Sequence, residues 1–258
     1  SDMYFGLSED QVFFQDNVRK FLEDQAPLDA IRKIAEGNDS SSKDELYQGL
    51  INLGINNLLI PEDNGGLGLD LLFAVAISQS LGAGIATLPF IGPYVMAPIA
   101  IKHAANEMQK NTLFEGMVNN SINFSIGFSE YFGSRDSSGL TFSQNKVSGK
   151  TLFVLDGDYA SHVMLCNKDG QIGVVSLDSV GIETINLTTV DKTRMYQEMN
   201  FDNTPIEILE NSLTSSNAIE LSIDAGRIVA AADSIGASQY MIDKAVEYSK
   251  ERKQFNRV

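Results

Sequence analysis

The sequence predicts an α+β multidomain chain: an N-terminal all-α domain, a middle antiparallel β-sandwich or barrel, and a long C-terminal helix opening a third domain. Three observations lead there. Apolar residues recur at helical spacing across residues 8–115. Short runs of strand formers, separated by turn residues, fill residues 120–209. From Asn217 to Phe255 there is no proline, and an apolar stripe returns at roughly helical spacing. The expected domains are 1–119, 120–212 and 213–258.

In the first domain, Ser8-Glu9-Asp10-Gln11 fits a capping box, in which the serine hydroxyl accepts from a free backbone amide and Gln11 reaches back. Phe14, Val18, Phe21 and Leu22 then share one helix face, and Pro27 closes the helix. The polar run 37–43 reads as a loop. A second helix is expected over Asp44–Gly54, with Leu46, Leu50 and Leu53 inward and Gly54 ending it. Pro61-Glu-Asp-Asn-Gly65-Gly66-Leu-Gly68 is a turn-rich loop, where glycines permit φ > 0 or close backbone approach. A tight connection between helices explains them better than ligand contact does. Asp70 can cap a helix over Leu71–Leu81, which Gly82 stops. Pro93 and Pro98 bracket a turn into a helix over Ile99–Ala104, and another helix is expected over Asn106–Met117.

In the middle domain, the clearest strands are Lys146–Asp156, Ser161–Asn167 and Gln171–Ser176. Asn167-Lys-Asp169-Gly170 is a hairpin signal between the last two. In the third, Ile223, Ile228, Ala231, Ile235, Met241, Ile242 and Ala245 form the stripe, with Gly236 allowing close helix packing. Helices this long pack in bundles or at oligomer interfaces.

Charge narrows the partners. The formal net charge is −15, from 34 acidic against 19 basic residues, which disfavours nucleic acid and anionic lipid. It also opposes anionic ligands, so basic residues near a site carry extra weight. No apolar run approaches the roughly 20 residues needed to cross a bilayer, so no membrane insertion is expected and a cytoplasmic location is. Cys166, the single cysteine, forms no intrachain disulfide and reads as a buried strand residue. His103 and His162, the only histidines, lie far apart in sequence, and no metal-ligand spacing or nucleophile–base motif occurs.

Three segments, in order, resemble the acyl-CoA dehydrogenase family. Leu53-Gly54 with Pro61-Glu62 and Gly65-Gly66-Leu67-Gly68 resembles its N-terminal signature. Asp191-Lys-Thr193-Arg194 resembles a segment late in its β domain, and Glu251-Arg252-Lys-Gln254-Phe255 a motif early in its C-terminal domain. The resemblance runs over essentially the whole chain. It implies that the third domain is the start of a four-helix bundle. It also implies FAD as cofactor, an acyl-CoA substrate, an electron-transfer flavoprotein or similar acceptor, and a homo- or hetero-oligomer.

The resemblance carries over several cofactor-binding positions. Arg252, whose rigid guanidinium fork suits a pyrophosphate, would reach a flavin held by another subunit, together with Gln254 and Phe255. Asn256 stands where glycine is usual. Phe128-Ser129-Glu130-Tyr131 matches a flavin-supporting stretch: Ser129 keeps a hydroxyl, and Tyr131 replaces a proline. Ser148-Gly149-Lys150 through Gly157 matches another. There Phe153 reads equally as a flavin neighbour or as sandwich core. Leu155 replaces a threonine whose hydroxyl would bond the flavin, leaving a backbone amide to serve.

The reaction so implied needs a carboxylate that removes an α-proton while the flavin accepts a β-hydride. At one of the two placements used in the family, the matching stretch is Ile223-Asp224-Ala225-Gly226-Arg227, with Gly226 at the base position. Helical spacing turns Glu220 and Asp224 away from that direction. The other placement is expected beyond Val258. No catalytic residue is therefore assigned. Two readings follow: a dehydrogenase whose base is supplied from outside these residues, or a non-catalytic subunit or acyl-CoA-binding module of a heteromeric dehydrogenase.

Overall fold

The computed structural model describes residues 9–25, 40–81, 89–132, 139–155, 157–187, 196–214 and 217–232. The chain divides into two compact units. One comprises Ser1–Ile55, Leu69–Leu88 and Ile228–Val258; the other comprises Asn56–Gly68 and Pro89–Arg227.

In the first unit, helix α1 (Glu9–Gln25), α2 (Ser40–Asn52) and α3 (Leu71–Leu81) are described. Phe14 and Val18 of α1 are buried as their spacing requires, and Phe14 meets Phe73 of α3 with ring centroids 6.1 Å apart. Each large apolar side chain so buried contributes about 1.5–3 kcal/mol. Ser8 and Pro27 lie outside the described residues, as does the side chain of Leu22. Helix α2 begins earlier than expected, at Ser40, and its Leu46 and Leu50 are buried. Leu53 falls in the turn and is half-buried, because Gly54, at φ +95°, has already left the helix and donates to the Ile51 carbonyl. Asp70 caps α3 through Oδ1, which accepts from the Phe73 amide at 3.1 Å.

The second unit begins with the glycine loop. Gly65, at φ +87°, closes a 3₁₀ turn over Glu62–Asn64. Gly66 donates to the Pro61 carbonyl at 3.0 Å. A Cβ on Gly66 would lie 2.1 Å from the Ile60 carbonyl oxygen, a backbone atom that cannot step aside. The glycines thus serve the chain's own close approach. Helix α4 (Ala97–Ala104) is preceded by a wide turn over Gly92–Met96, where the Ala97 amide donates to Gly92 five residues back. The expected break between Pro93 and Pro98 is instead continuous helix. Pro98 has no amide to donate and its ring would press on the residue-94 carbonyl in α register; the wide turn accommodates it. Helix α5 (Glu107–Val118) starts at a capping box. Asn106 accepts from the Gln109 amide at 2.8 Å, and Gln109 accepts from the Asn106 amide at 3.1 Å.

Among the described residues eight strands follow: β1 (Phe124–Gly127), β2 (Leu140–Ser143), β3 (Lys146–Leu155), β4 (His162–Cys166), β5 (Ile172–Ser176), β6 (Ile182–Leu187), β7 (Tyr196–Pro205) and β8 (Glu207–Ile208). They form one sheet in the order β6-β7-β3-β1-β4-β5-β8, with β2 on β3. Every pair is antiparallel except β1 with β4, which is parallel and departs from the expected antiparallel scheme. The sheet curls: β5 touches β7 although three strands separate them. Val163 and Leu165 of β4 enter the core inside the curl with Val147, Val154, Val175 and Met199. Met164 and Cys166, on the opposite face, join a second core with Ile101 of α4 and Phe114 of α5. The expected hairpin forms between β4 and β5: Gly170 adopts φ +87°, and Asn167 Oδ1 accepts from the amides of Asp169 and Gln171.

Helix α6 (Ala218–Ala232) belongs to the second unit as far as Arg227. Ile223 and Ile228 of the expected stripe are buried, but Ala231 is exposed and Val229 is buried instead. The buried face therefore runs through Ala218, Ser222, Ala225 and Val229, a 3.6-residue period that the stripe departs from. The remainder of the expected long helix lies outside the described residues, among which no helix is long and apolar enough to cross a membrane.

Gly66→Ala should destabilise the protein by about 1–3 kcal/mol, because overpacking here meets backbone. A lowered urea midpoint would show it; an unchanged midpoint would contradict the close approach.

Candidate functional site

Strand β1 ends at Gly127, and the chain turns at once into a 3₁₀ segment, Ser129–Phe132, that lies against β3 and β4. Gly127 lets this happen: its Cβ would meet Leu165 Cδ2 at 3.0 Å. The Ser129 hydroxyl donates to the Leu152 carbonyl at 2.6 Å and lies 3.1 Å from the Thr151 hydroxyl. The structure thus brings together the two stretches singled out for a flavin, 128–132 and 148–157.

The meeting point coincides with a break in the β3–β7 ladder. Thr151 pairs with Met199 and Val154 with Gln197, so three steps on β3 face two on β7. One extra residue is accommodated at Leu152–Phe153, a β-bulge of the kind that re-aims side chains beside functional sites. Leu155 itself is back in register, between Ile126 and Tyr196. The side chains of Phe153 and Leu155 lie outside the described residues, as do Arg252, Gln254, Phe255 and the segment Asp191–Arg194.

Two neighbours were not singled out as ligands by sequence. Glu130 is 4% exposed, and its Oε2 has no hydrogen-bond partner among the described residues. Burial raises its carboxyl pKa above the usual value of 4.5, with Lys150 pulling the other way. Lys150 pairs with Glu198 at 3.3 Å. Tyr131, at the position where the resembled stretch carries proline, donates its hydroxyl to Glu220 Oε1 of α6 at 2.8 Å. The hydrogen bond to Glu220, then burial, raises the Tyr131 pKa, so the phenol stays a protonated donor. Nothing in hydrophobic periodicity announces either residue; the tyrosine-for-proline exchange was the available signal.

Gly226 faces the wide turn before α4. A Cβ there would lie 2.7 Å from Met96 Sδ and 3.5 Å from Ile91 Cγ2. One turn earlier, the Ser222 hydroxyl donates to the Met96 carbonyl at 2.8 Å and pins the two segments. No carboxylate stands at position 226, and a side chain there would have to displace the end of Met96. Asp224, buried, pairs with Arg227 at 3.7 Å, and Glu220 faces Tyr131.

The remaining titratable candidates stay apart. Cys166 is buried, and its thiol is pushed up to about 12, chiefly by desolvation. His103 on α4 and His162 on β4 both have lowered pKa values, burial being the first cause in each. No group of side chains able to hold a metal ion occurs among the described residues.

Comparisons with known proteins place acyl-CoA dehydrogenases among the proteins this chain is similar to. Residues 8–121 match the family model described as acyl-CoA dehydrogenase, N-terminal domain. The chain is 24% identical to the probable acyl-CoA dehydrogenase YngJ of Bacillus subtilis (strain 168), covering 98% of this chain and 72% of that protein. It is 23% identical to the caffeyl-CoA reductase-Etf complex subunit CarC of Acetobacterium woodii, covering 99% of this chain and 72% of that one. The fold matches a glutaryl-coenzyme A dehydrogenase in complex with glutaryl-CoA with a TM-score of 0.73 at 19% identity, over 90% of this chain and 64% of that chain. The chain thus spans just under two thirds of that solved relative.

Two outcomes follow for the site. Glu130→Gln should raise the thermal midpoint at neutral pH, and the gain should vanish toward pH 4. The folded-state pKa of Glu130 is raised, so its favourable contribution is complete below 4.5 and is lost as pH rises through the folded value. A pH-independent effect would contradict the buried, unpartnered carboxyl. Gly226→Glu should cost about 1–3 kcal/mol through overpacking against Met96, read as a lower urea midpoint; a neutral outcome would show that the α6 contact opens freely.

Proposed function

We propose that this chain, whose residues 8–121 match the acyl-CoA dehydrogenase N-terminal domain model, is a member of the acyl-CoA dehydrogenase family and works as a flavoprotein component in α,β-dehydrogenation of an acyl-CoA thioester, with FAD as the hydride acceptor. The observation that carries this reading is the convergence of the Ser129 turn and the β3 bulge at one place. A bound flavin would supply the hydride-accepting ring.

The residues present fit such a group. The bulge takes Leu152 and Phe153 out of the β7 register, so their backbone groups can face a ring edge. Ser129 keeps acceptor capacity while donating to Leu152. The Glu130 Oε2, buried and unsatisfied among the described residues, wants a donor or must keep a proton. In this reading Ser129 and the backbone of Leu152–Leu155 hold the polar edge of the ring, and Phe153 lies along it. Arg252, Gln254 and Phe255 serve the dinucleotide of a neighbouring subunit in a homo- or hetero-oligomer. The division into domains 1–119, 120–212 and 213–258 belongs to the same proposal.

The acid–base step is assigned elsewhere. Gly226 packs on Met96, and the nearby acids are engaged with Tyr131 and Arg227, so the base that removes the α-proton is not among these groups. An electron-transfer flavoprotein or similar protein would take the electrons onward; the matched CarC protein is named as a subunit of an Etf complex. The packing at Gly226 also favours a second reading, in which this chain is a non-catalytic, acyl-CoA- or flavin-binding subunit paired with a base-bearing one.

The protein expressed with its genomic neighbours should give a native mass spectrum of an oligomer carrying FAD. In that assembly Arg252→Ala should lower flavin retention. Flavin-free assemblies of this chain alone would sink the dehydrogenase reading, and full occupancy in Arg252→Ala would remove that residue from the cofactor site.

A further inference from the structure

The 3₁₀ segment Ser129–Phe132 is tied on two sides by adjacent parts of one short turn. Ser129 bonds to β3 through the Leu152 carbonyl. Two residues on, Tyr131 reaches across 89 positions of sequence to Glu220, in the first turn of α6. The Tyr131 ring is packed against the helix-facing core, over the β4–β5 hairpin. A Cβ on Gly170 would lie 3.6 Å from Tyr131 Cε2 and 3.1 Å from Ile219 Cγ2. Ring, hairpin glycine and helix therefore meet at contact distance. A proline at position 131 would stiffen φ but reach none of them.

We propose that Tyr131 is a positioning residue: its hydrogen bond to Glu220 anchors the turn to α6 and thereby sets where the Ser129 hydroxyl and the Glu130 carboxyl point. The proposal rests on the flavin reading above and adds to it a specific tether from α6. The mechanism is local. Ser129 and Tyr131 are two residues apart in a single tight turn, so releasing one end lets the other rotate. Glu220 Oε1 is the acceptor, and Tyr131 remains the donor because its proton is held. Replacing either polar end should loosen the aim of the turn while leaving the apolar packing of ring and helix in place.

The test is a titration of the full-length apoprotein, in the assembly in which it is purified, with FAD. Binding is read by flavin fluorescence and by the visible circular dichroism of the bound flavin. Tyr131→Phe and Glu220→Leu should each raise the FAD Kd by about three- to tenfold, the range of one hydrogen bond, and change the visible dichroism. Glu220→Gln, which keeps an acceptor oxygen, should stay near wild type. The Tyr131→Phe/Glu220→Leu double variant should be no worse than the worse single in FAD binding, because the hydrogen bond between them is the element both variants remove. Thermal midpoints identify variants that fail to fold, and Glu220→Gln keeps the comparison interpretable if Glu220→Leu does. Wild-type Kd and dichroism in Tyr131→Phe would overturn the tether while leaving the flavin reading intact. Strictly additive losses would also overturn it. A wild-type protein that takes up no FAD would overturn both.

Discussion

Strand β4 is buried on both faces, and the site depends on that double burial. Val163 and Leu165 close the interior of the curled sheet, while Met164 and Cys166 seal against α4 and α5. Many antiparallel strands bury one face and leave the other to solvent; this one buries both, filled with aliphatic and sulfur side chains. Its neighbour β1 runs parallel to it through four paired positions, Phe124 to Gly127. Because β4 is held from both sides, the end of β1 is held too, and the turn at Ser129–Phe132 emerges from a rigid point. The Cys166 thiol even donates to the Phe128 carbonyl, at 3.5 Å, at the start of that turn. A site built on such support keeps its geometry better than one on a free loop.

Electrostatics around the turn run against the grain of the whole chain. The protein is strongly acidic, yet acids near the turn are individually managed. Glu220 takes a phenol proton donor, Asp224 takes Arg227, and Glu198 takes Lys150. Glu130 differs: its Oε2 has no hydrogen-bond partner among the described residues, and burial raises its pKa. Buried polar atoms without partners are uncommon in folded proteins and mark either strain or a missing ligand.

Much of the scaffold was legible because its signals are local. Asp70 as a cap, Gly54 as a stop, and Asn167–Gly170 as a hairpin each follow from the backbone angles or lone pairs of a few adjacent residues. The capping box at Asn106–Gln109 was equally local and passed unnoticed among stronger periodic cues. What sequence did not disclose is long-range. The parallel β1–β4 pair, the bulge at Leu152–Phe153 and the Tyr131–Glu220 bond arise from partners 38 to 89 residues apart, for which no pattern within one element exists. Pro98 misled in the other direction. A proline usually ends a helix, and here a wide turn one step earlier lets the helix continue.

That same wide turn bears on where chemistry can occur. By keeping Gly92–Met96 helical, it presents Met96 to α6, whose Ser222 bonds the Met96 carbonyl. Helix α6 then approaches until only a glycine fits at position 226 without displacing Met96. Glycine inside a helix costs about 1 kcal/mol relative to alanine, so close packing is a physical reason for its presence. An empty socket would need a second explanation. A side chain at position 226 would have to displace the end of the Met96 side chain, while the Ser222 bond to the Met96 carbonyl ties the two segments independently. Since α6 also carries Glu220, the partner of Tyr131, the helix that packs on Met96 at one point supports the candidate cofactor turn at another.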